Sequence, residues 1–368
     1  VDHASSRTPT PRRSRRRWWI VGGCAAALVA AGLVAAKRFI DGGMFVPGTV
    51  AERIASAGET FDPLPADPAP DRWAVAAGVE LYHASFGTGT GEDVLLLHGG
   101  PGFPFLRPPR AALRLAEGHR VHVYDQRGCG RSSRPIQSAP GGSFYAGLTK
   151  VEQTLGFAEQ IADIERVRRR LGRDRLVLVG HSFGGLLAAL YAAEFPEHVR
   201  ALVLVAPAPL FVMPQESDLF TLIRARLPQA DRTRFDAYMA GYFDFGKALT
   251  LDEATLSRHY GEMRGFYRLA ERASPVPDTG DAGGWMTLAL FAGLGRRHDW
   301  RPALARITAP TLVFHGGRDM QPEAATAGIA SRIRGARLVT VADSSHFVLD
   351  DAPDEIADAV RRFLAETR

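Results

Sequence analysis

Two cysteines stand in a chain of 368 residues. Cys24 falls in an apolar segment near the N-terminus and Cys129 in the body, so no disulfide within a domain is available. Cysteine usage therefore does not report a redox compartment. No Cys/His cluster has zinc-ligand spacing and no His-Glu-x-x-His run occurs, so no metal is expected. No cofactor is expected either, because the glycine-rich residues 98–102 lack the Lys-Ser/Thr end of a phosphate loop. Internal repeats are missing. A basic nucleic-acid footprint is missing too, although the net charge is +5. The first 40 residues hold eight Lys/Arg and one acid, or +7 of that total, which leaves the rest of the chain at −2. What remains is an ordinary globular composition, 46% hydrophobic, with enough length for one large α/β domain or two smaller ones.

The basic excess sits in residues 1–17, a tail containing Arg12, Arg13, Arg15, Arg16 and Arg17. Residues 18–36 then carry no charge, and as a helix they would extend about 28 Å, close to a bilayer's hydrocarbon thickness. Trp18 and Trp19 stand where an interfacial aromatic belt would lie, and Lys37 and Arg38 close the run. The expectation is a transmembrane anchor over residues 18–40 in a bacterial-type cell membrane. It would be single-pass, with the N-terminus cytoplasmic, the body outside and the lipid bilayer as a partner. The alternative is an export signal cleaved after Val34-Ala35-Ala36, with Arg15-Arg16 loosely resembling a twin-arginine motif. Residues 41–72, rich in Gly, Pro and acids, read as a linker.

From residue 73 onward strands and helices alternate. Strands are expected at residues 73–79, 80–86, 94–97, 120–124, 176–179, 201–206, 311–314 and 337–341. Helices are expected at 109–117, 154–171, 186–195, 323–332 and 353–367. That order implies a mostly parallel sheet with helices on both faces, made of residues 73–206 and 300–368. The alternation lapses over residues 207–299, which read as an inserted, mainly helical cap.

The chemistry centres on Gly180-His181-Ser182-Phe183-Gly184, with an apolar strand before it and a helical pattern after it. A serine on so tight a strand-to-helix turn is strained and exposed, and glycines are needed where the two backbone arms cross. Its hydroxyl needs a base and an orienting acid. On such a fold these follow the serine in the order acid, histidine. Asp319 lies just past the strand 311–314, and His346 lies between the last strand and the last helix. The assignment is Ser182 nucleophile, His346 base and then acid, and Asp319 orienting carboxylate. Asp343, Asp350 and Asp351 are alternative acids, and His259 and His298 alternative bases. His181 adjoins the serine but points elsewhere on the turn. Donors to the oxyanion are the main-chain N–H groups of Phe183 and Gly100, with Gly99 beside them.

Residues 73–368 resemble an α/β-hydrolase. More narrowly, His98-Gly99-Gly100-Pro101-Gly102 together with Asp125-Gln126-Arg127-Gly128-Cys129-Gly130-Arg131-Ser132 resembles the prolyl aminopeptidase (proline iminopeptidase) family of serine peptidases. The resemblance implies that the first motif carries the oxyanion hole and the second supports it. It also implies cap carboxylates that hold a substrate's free amine. Glu216, Asp218, Asp244 and Glu262 are acids in that region. The elbow departs from the family's usual Gly-Gly-Ser-Trp-Gly at His181 and Phe183. The family's tryptophan-rich helix and His-Tyr-Phe stretch have no counterpart that fixes which acid serves.

Three functions follow in order. The first is an exported or membrane-tethered aminopeptidase working through an acyl-enzyme on Ser182. The second is an ester or amide hydrolase with the same chemistry and no demand for a free amine. The third is a catalytically silent binding protein on the same scaffold, disfavoured by the complete set of site residues. Serine at the elbow also argues against the haloalkane dehalogenases and epoxide hydrolases of this fold, which carry aspartate there.

Overall fold

The computed structural model describes residues 43–89, 91–216, 218–273 and 282–367. Eight strands form one sheet: β1 (Arg72–Ala76), β2 (Val79–Phe86), β3 (Asp93–Leu97), β4 (Arg120–Tyr124), β5 (Leu176–His181), β6 (Val199–Val205), β9 (Thr311–Gly316) and β10 (Arg337–Val341). Their order is β1-β2-β4-β3-β5-β6-β9-β10. β2 runs antiparallel to both of its neighbours, β1 and β4, and the remaining pairs are parallel. β3 and β5 are buried along their whole length. Parallel strands covered on both faces need a continuous apolar run rather than an alternating one, which is what Val94–Leu97 and Leu176–Val179 supply. Helices pack on both faces. Together with the inserted helical region between β6 and β9, this is the α/β-hydrolase architecture that the resemblance implies.

That inserted region holds the helices Leu219–Arg226, Gln229–Tyr242, Phe245–Ala248, Glu253–Ala270 and Trp285–Leu294. It also contains β7 (Val212–Met213), which pairs antiparallel with β8 (His298–Asp299) and ties the region's two ends together. An aromatic cluster fills it, with Tyr242 touching Tyr238, Tyr260, Phe243 and Phe291.

Two local expectations change. Residues 154–171 do not form one helix. Phe144–Leu155 and Phe157–Arg170 meet at Gly156, whose extended backbone (ψ −173°) breaks the ladder. A Cβ there would overlap the Glu152 carbonyl. Within the stretch read as a linker, much of which is exposed, three side chains also pack on the body. Phe45 is fully buried, its ring stacked on Phe157 at 5.2 Å and edge-on to Trp300 at 5.3 Å. The helix Val50–Ser56 buries Val50 and Ile54, and its Arg53 pairs with Glu152.

The expected membrane anchor, and with it the bilayer partner and single-pass location, is corrected. Among the described residues no helix is long and apolar enough to cross a membrane. The longest of them, Glu253–Ala270, is interrupted by Arg258, Glu262, Arg264 and Arg268. The basic tail and residues 18–40, on which the expectation rested, lie outside the described residues.

Candidate active site

β5 runs directly into the helix Phe183–Glu194, and Ser182 occupies the turn between them with φ 54° and ψ −120°. That is left-handed territory for a residue with a Cβ, and it is held by its surroundings. The Ser182 N–H donates to Val205 O at 2.9 Å, and the Ser182 carbonyl accepts from Gly185 and Ala208, both at 2.9 Å. A Cβ on Gly184 would overlap the carbonyl oxygens of Leu97 and His98, and one on Gly180 would overlap Gly184. Gly184 therefore lets β3 and the elbow approach so closely, and Gly180 lets the strand and helix of the elbow itself cross.

Asp319 and His346 come together from the loops after β9 and β10. The imidazole Nδ1–H donates to Asp319 Oδ2 at 2.8 Å, with both side chains almost wholly buried. Burial pulls the His346 pKa down, but the Asp319 charge and hydrogen bond, helped by Glu271, more than offset this and leave it above the ordinary histidine value. Burial pushes the Asp319 carboxyl up, and His346 outweighs that, so it lies below its usual range. The other aspartates have different partners. Asp350 accepts from Arg110 N at 3.0 Å and Asp351 accepts from the Ser345 N–H and hydroxyl. Asp343 is engaged through its main-chain carbonyl by Arg318.

The other histidines are also placed. His181 donates from Nε2 to His346 O at 2.9 Å, and burial first, then the charge of His346, lowers its pKa to about 3. It buttresses the histidine loop as a neutral ring. His298 bonds Leu210 O at 2.8 Å, and His259 packs on Tyr238 and Tyr260 in the inserted region.

Gly99 lies against Ser182, so closely that a Cβ on it would crowd the serine's own Cβ. Gly100 takes φ 129° and lines the same cavity as Ser182 and Phe183. The two motifs flanking this loop are bonded to each other. His98 Nε2 accepts the Gln126 N–H at 3.1 Å, Gln126 Nε2 donates to His98 O at 2.9 Å, and His98 Nδ1–H donates to Gly99 O at 2.9 Å. Full burial leads the causes that lower the His98 pKa to about 4. Arg127 extends the network inward through a two-pronged pair with Asp163.

Ser182 opens into a cavity of about 920 Å³ beneath the inserted helices. Its walls are mostly apolar and aromatic, with Phe103, Leu222, Met263, Tyr267, Phe291 and Leu294 among them, and Arg296, Arg301 and Arg332 also line it. Of the four acids expected to bind substrate, Glu216 and Asp218 line this cavity, and both are exposed. Asp218 also caps the helix Leu219–Arg226 by accepting from Thr221 N at 3.0 Å. Asp244 caps the helix Phe245–Ala248 and lines a separate small hollow beside His259. Glu262 is exposed on its helix and lines neither. Among the described residues no group of three or more His, Cys, Asp or Glu is placed to hold a metal ion.

Sequence reasoning missed Glu271, Arg226 and Gln321. Glu271 accepts the main-chain N–H groups of His346 and Met320, Arg226 donates to the carbonyls of Arg318 and Asp319, and Gln321 lines the cavity. Glu271 and Arg226 sit in unremarkable stretches of sequence with no motif around them, and Gln321 could have been found from its place two residues after Asp319.

Residues 94–353 match the family described as alpha/beta hydrolase fold. A proline iminopeptidase of Saccharolobus solfataricus is 28% identical over 306 residues, covering 78% of this chain and 89% of that one. Among solved structures, an esterase from Exiguobacterium antarcticum superposes with a TM-score of 0.54 at 22% identity, covering 79% of this chain and 97% of that one. The proline iminopeptidase of Mycobacterium smegmatis superposes with a TM-score of 0.56 at 20% identity, covering 83% of this chain and 98% of that one. At those identities the two structures speak for the fold.

Proposed function

The chain belongs to the α/β-hydrolase family and is a serine hydrolase of that class, and from that premise we propose that it cleaves esters or amides with a bulky apolar acyl or leaving group. Ser182 Oγ attacks the substrate carbonyl while His346 Nε2 takes its proton. Asp319 holds the imidazole with Nδ1–H toward itself, which leaves Nε2 free to act as base. The N–H groups of Phe183 and Gly100 stabilise the oxyanion. Collapse of the tetrahedral adduct breaks the bond to the leaving group, which receives the proton from His346. Water, deprotonated by the same histidine, then releases the acid from Ser182.

The observation that carries the substrate class is the cavity lining. A free amine needs a carboxylate facing it in the pocket, because an unpaired ammonium is costly to desolvate. Among the described residues, the acids on this cavity are the exposed Glu216 and Asp218, they share it with Arg296, Arg301 and Arg332, and most of the remaining wall is apolar. A second reading, an aminopeptidase, is favoured by the relative from S. solfataricus and by Glu216 on the cavity wall.

Two substrate pairs separate the readings. We expect a p-nitrophenyl ester of an aliphatic acid to turn over faster than prolyl p-nitroanilide, and N-acylation of the prolyl substrate not to slow it. A rate on the prolyl substrate that collapses when its amine is blocked overturns the ester reading in favour of the aminopeptidase.

A further inference from the structure

Glu271 follows the last turn of the helix Glu253–Ala270, and its side chain has no exposed surface. One carboxylate oxygen accepts the main-chain N–H of Met320 at 2.8 Å, and the other accepts the N–H of His346 at 3.0 Å. Met320 directly follows Asp319, so a single carboxylate grips both catalytic loops. Arg226, at the end of the helix Leu219–Arg226, lies 3.4 Å from Glu271. Its other contacts are donations to the carbonyls of Arg318 and Asp319, each at 2.9 Å. Tyr267, one helical turn before Glu271, sets its ring 5.0 Å from that of His346.

A buried charge is poor material for stability alone, since apolar residues of the same volume would serve at least as well. It suits the fixing of geometry. Asp319 and His346 sit on separate loops, and a hydrogen-bonded pair functions only when both are held to within about 0.5 Å. The sheet fixes where β9 and β10 end but does not fix the path of the loops beyond them. The Arg226–Glu271 pair holds that path from the opposite side, out of the inserted region.

We propose that Glu271, braced by Arg226, is a positioning residue that holds Asp319 and His346 in register, so that the inserted helices are required for catalysis itself as well as for shaping the cavity. The proposal rests on the assignment of Ser182, His346 and Asp319 given above. The groups facing His346 are Asp319, Glu271, His181, His315 and Tyr267. Two of these are carboxylates, and both raise the basicity of the imidazole.

The test is the rate of inactivation by a fluorophosphonate, followed across acidic and neutral pH on the full chain, which requires no knowledge of the natural substrate. Glu271→Gln keeps the shape but loses the charge and one of the two acceptors. The expected result is a plateau rate lower by roughly a hundredfold, as for a misplacement on the order of 1 Å, with the acidic limb moved to lower pH. A lowered melting temperature with the rate and the limb unmoved would mean a structural role and overturns the proposal. A wild-type chain that does not label at all defeats the triad assignment instead. Should Glu271→Gln not fold, Arg226→Lys keeps the positive charge but loses the fork to two carbonyls. It should slow inactivation while leaving the limb in place, and an unchanged rate overturns the proposal.

Discussion

The main-chain N–H of Gln126 donates to His98 Nε2 at 3.1 Å, and the Gln126 side chain returns a bond to the His98 carbonyl at 2.9 Å. This reciprocal pair binds the loop after β4 to the loop after β3. The second loop carries Gly99 and Gly100, so the position of the proposed oxyanion donors depends on a residue that never meets the substrate. His98 can accept from Gln126 only while neutral.

Gln126→Ala should therefore lower kcat more than it raises KM. A loss of up to about a hundred- to a thousandfold in kcat, the range seen when one oxyanion donor is removed, is expected from steady-state kinetics. An unchanged kcat with a raised KM would place the loop in ground-state binding instead.

Neutral His98 also sets an acid limit on stability. Its pKa is about 4 in the fold and near 6.5 when unfolded. Between those values the unfolded chain takes up a proton that the fold refuses, so this stability is full above pH 6.5 and is lost as pH falls through 4. The loss attributable to His98 alone is about 3 kcal/mol, and buried His181, with a pKa of about 3, acts in the same direction. Urea denaturation at a series of pH values should show the midpoint falling as pH drops below 6.5. A midpoint constant from neutrality to pH 4 would show that these rings accept protons in the fold.

Activity should fail on the acid side at a higher pH than stability does. In the proposed mechanism His346 must be neutral to take the Ser182 proton, and its pKa lies above the ordinary histidine value. The acidic limb of kcat/KM is thus expected above pH 6.5. Asp319→Asn removes the main charge holding that value up. It should move the limb to lower pH and reduce kcat by roughly ten-thousandfold, because the amide favours the wrong tautomer. A limb that stays in place in the variant would rule out Asp319 as the partner.

Gly184→Ala tests the elbow's packing. The added methyl would overlap the carbonyl oxygens of Leu97 and His98. Backbone cannot yield there without separating β3 from β5, so the variant should be destabilised by about 1–3 kcal/mol, as overpacked cores are. Gly265, where a Cβ meets nothing, serves as the control. Equal melting temperatures for Gly184→Ala and Gly265→Ala would refute the close approach.

Phe45→Ala tests the N-terminal arm. The ring is fully buried between Phe157 and Trp300, and its loss should cost about 3–5 kcal/mol. A thermal midpoint within a degree or two of wild type would mean that the arm only rests on the surface.

Much of this was legible in the sequence because it is local. An apolar run, a Gly-x-Ser-x-Gly turn and a helical pattern lie within twenty residues, and short-range sterics dictate how they fold. The alternation of strands and helices permits few topologies, so the loops holding Asp319 and His346 were expected at the same sheet edge as Ser182. Other features were hidden because they depend on contacts between distant residues. Glu271 reads as a common helix-end acid, yet it bonds Met320 49 residues away and His346 75 residues away. Glu216, Asp218, Asp244 and Glu262 looked equivalent, and only packing puts two on the cavity and two off it. By itself, then, the sequence determined the reaction class, since the turn of the proposed nucleophile and the order of its proposed partners along the chain are encoded by short segments. Tertiary structure alone decided what surrounds the reacting atoms. The apolar cavity and the Arg226–Glu271 brace arise from surfaces brought together by the inserted helices, and no local pattern specifies how those surfaces meet.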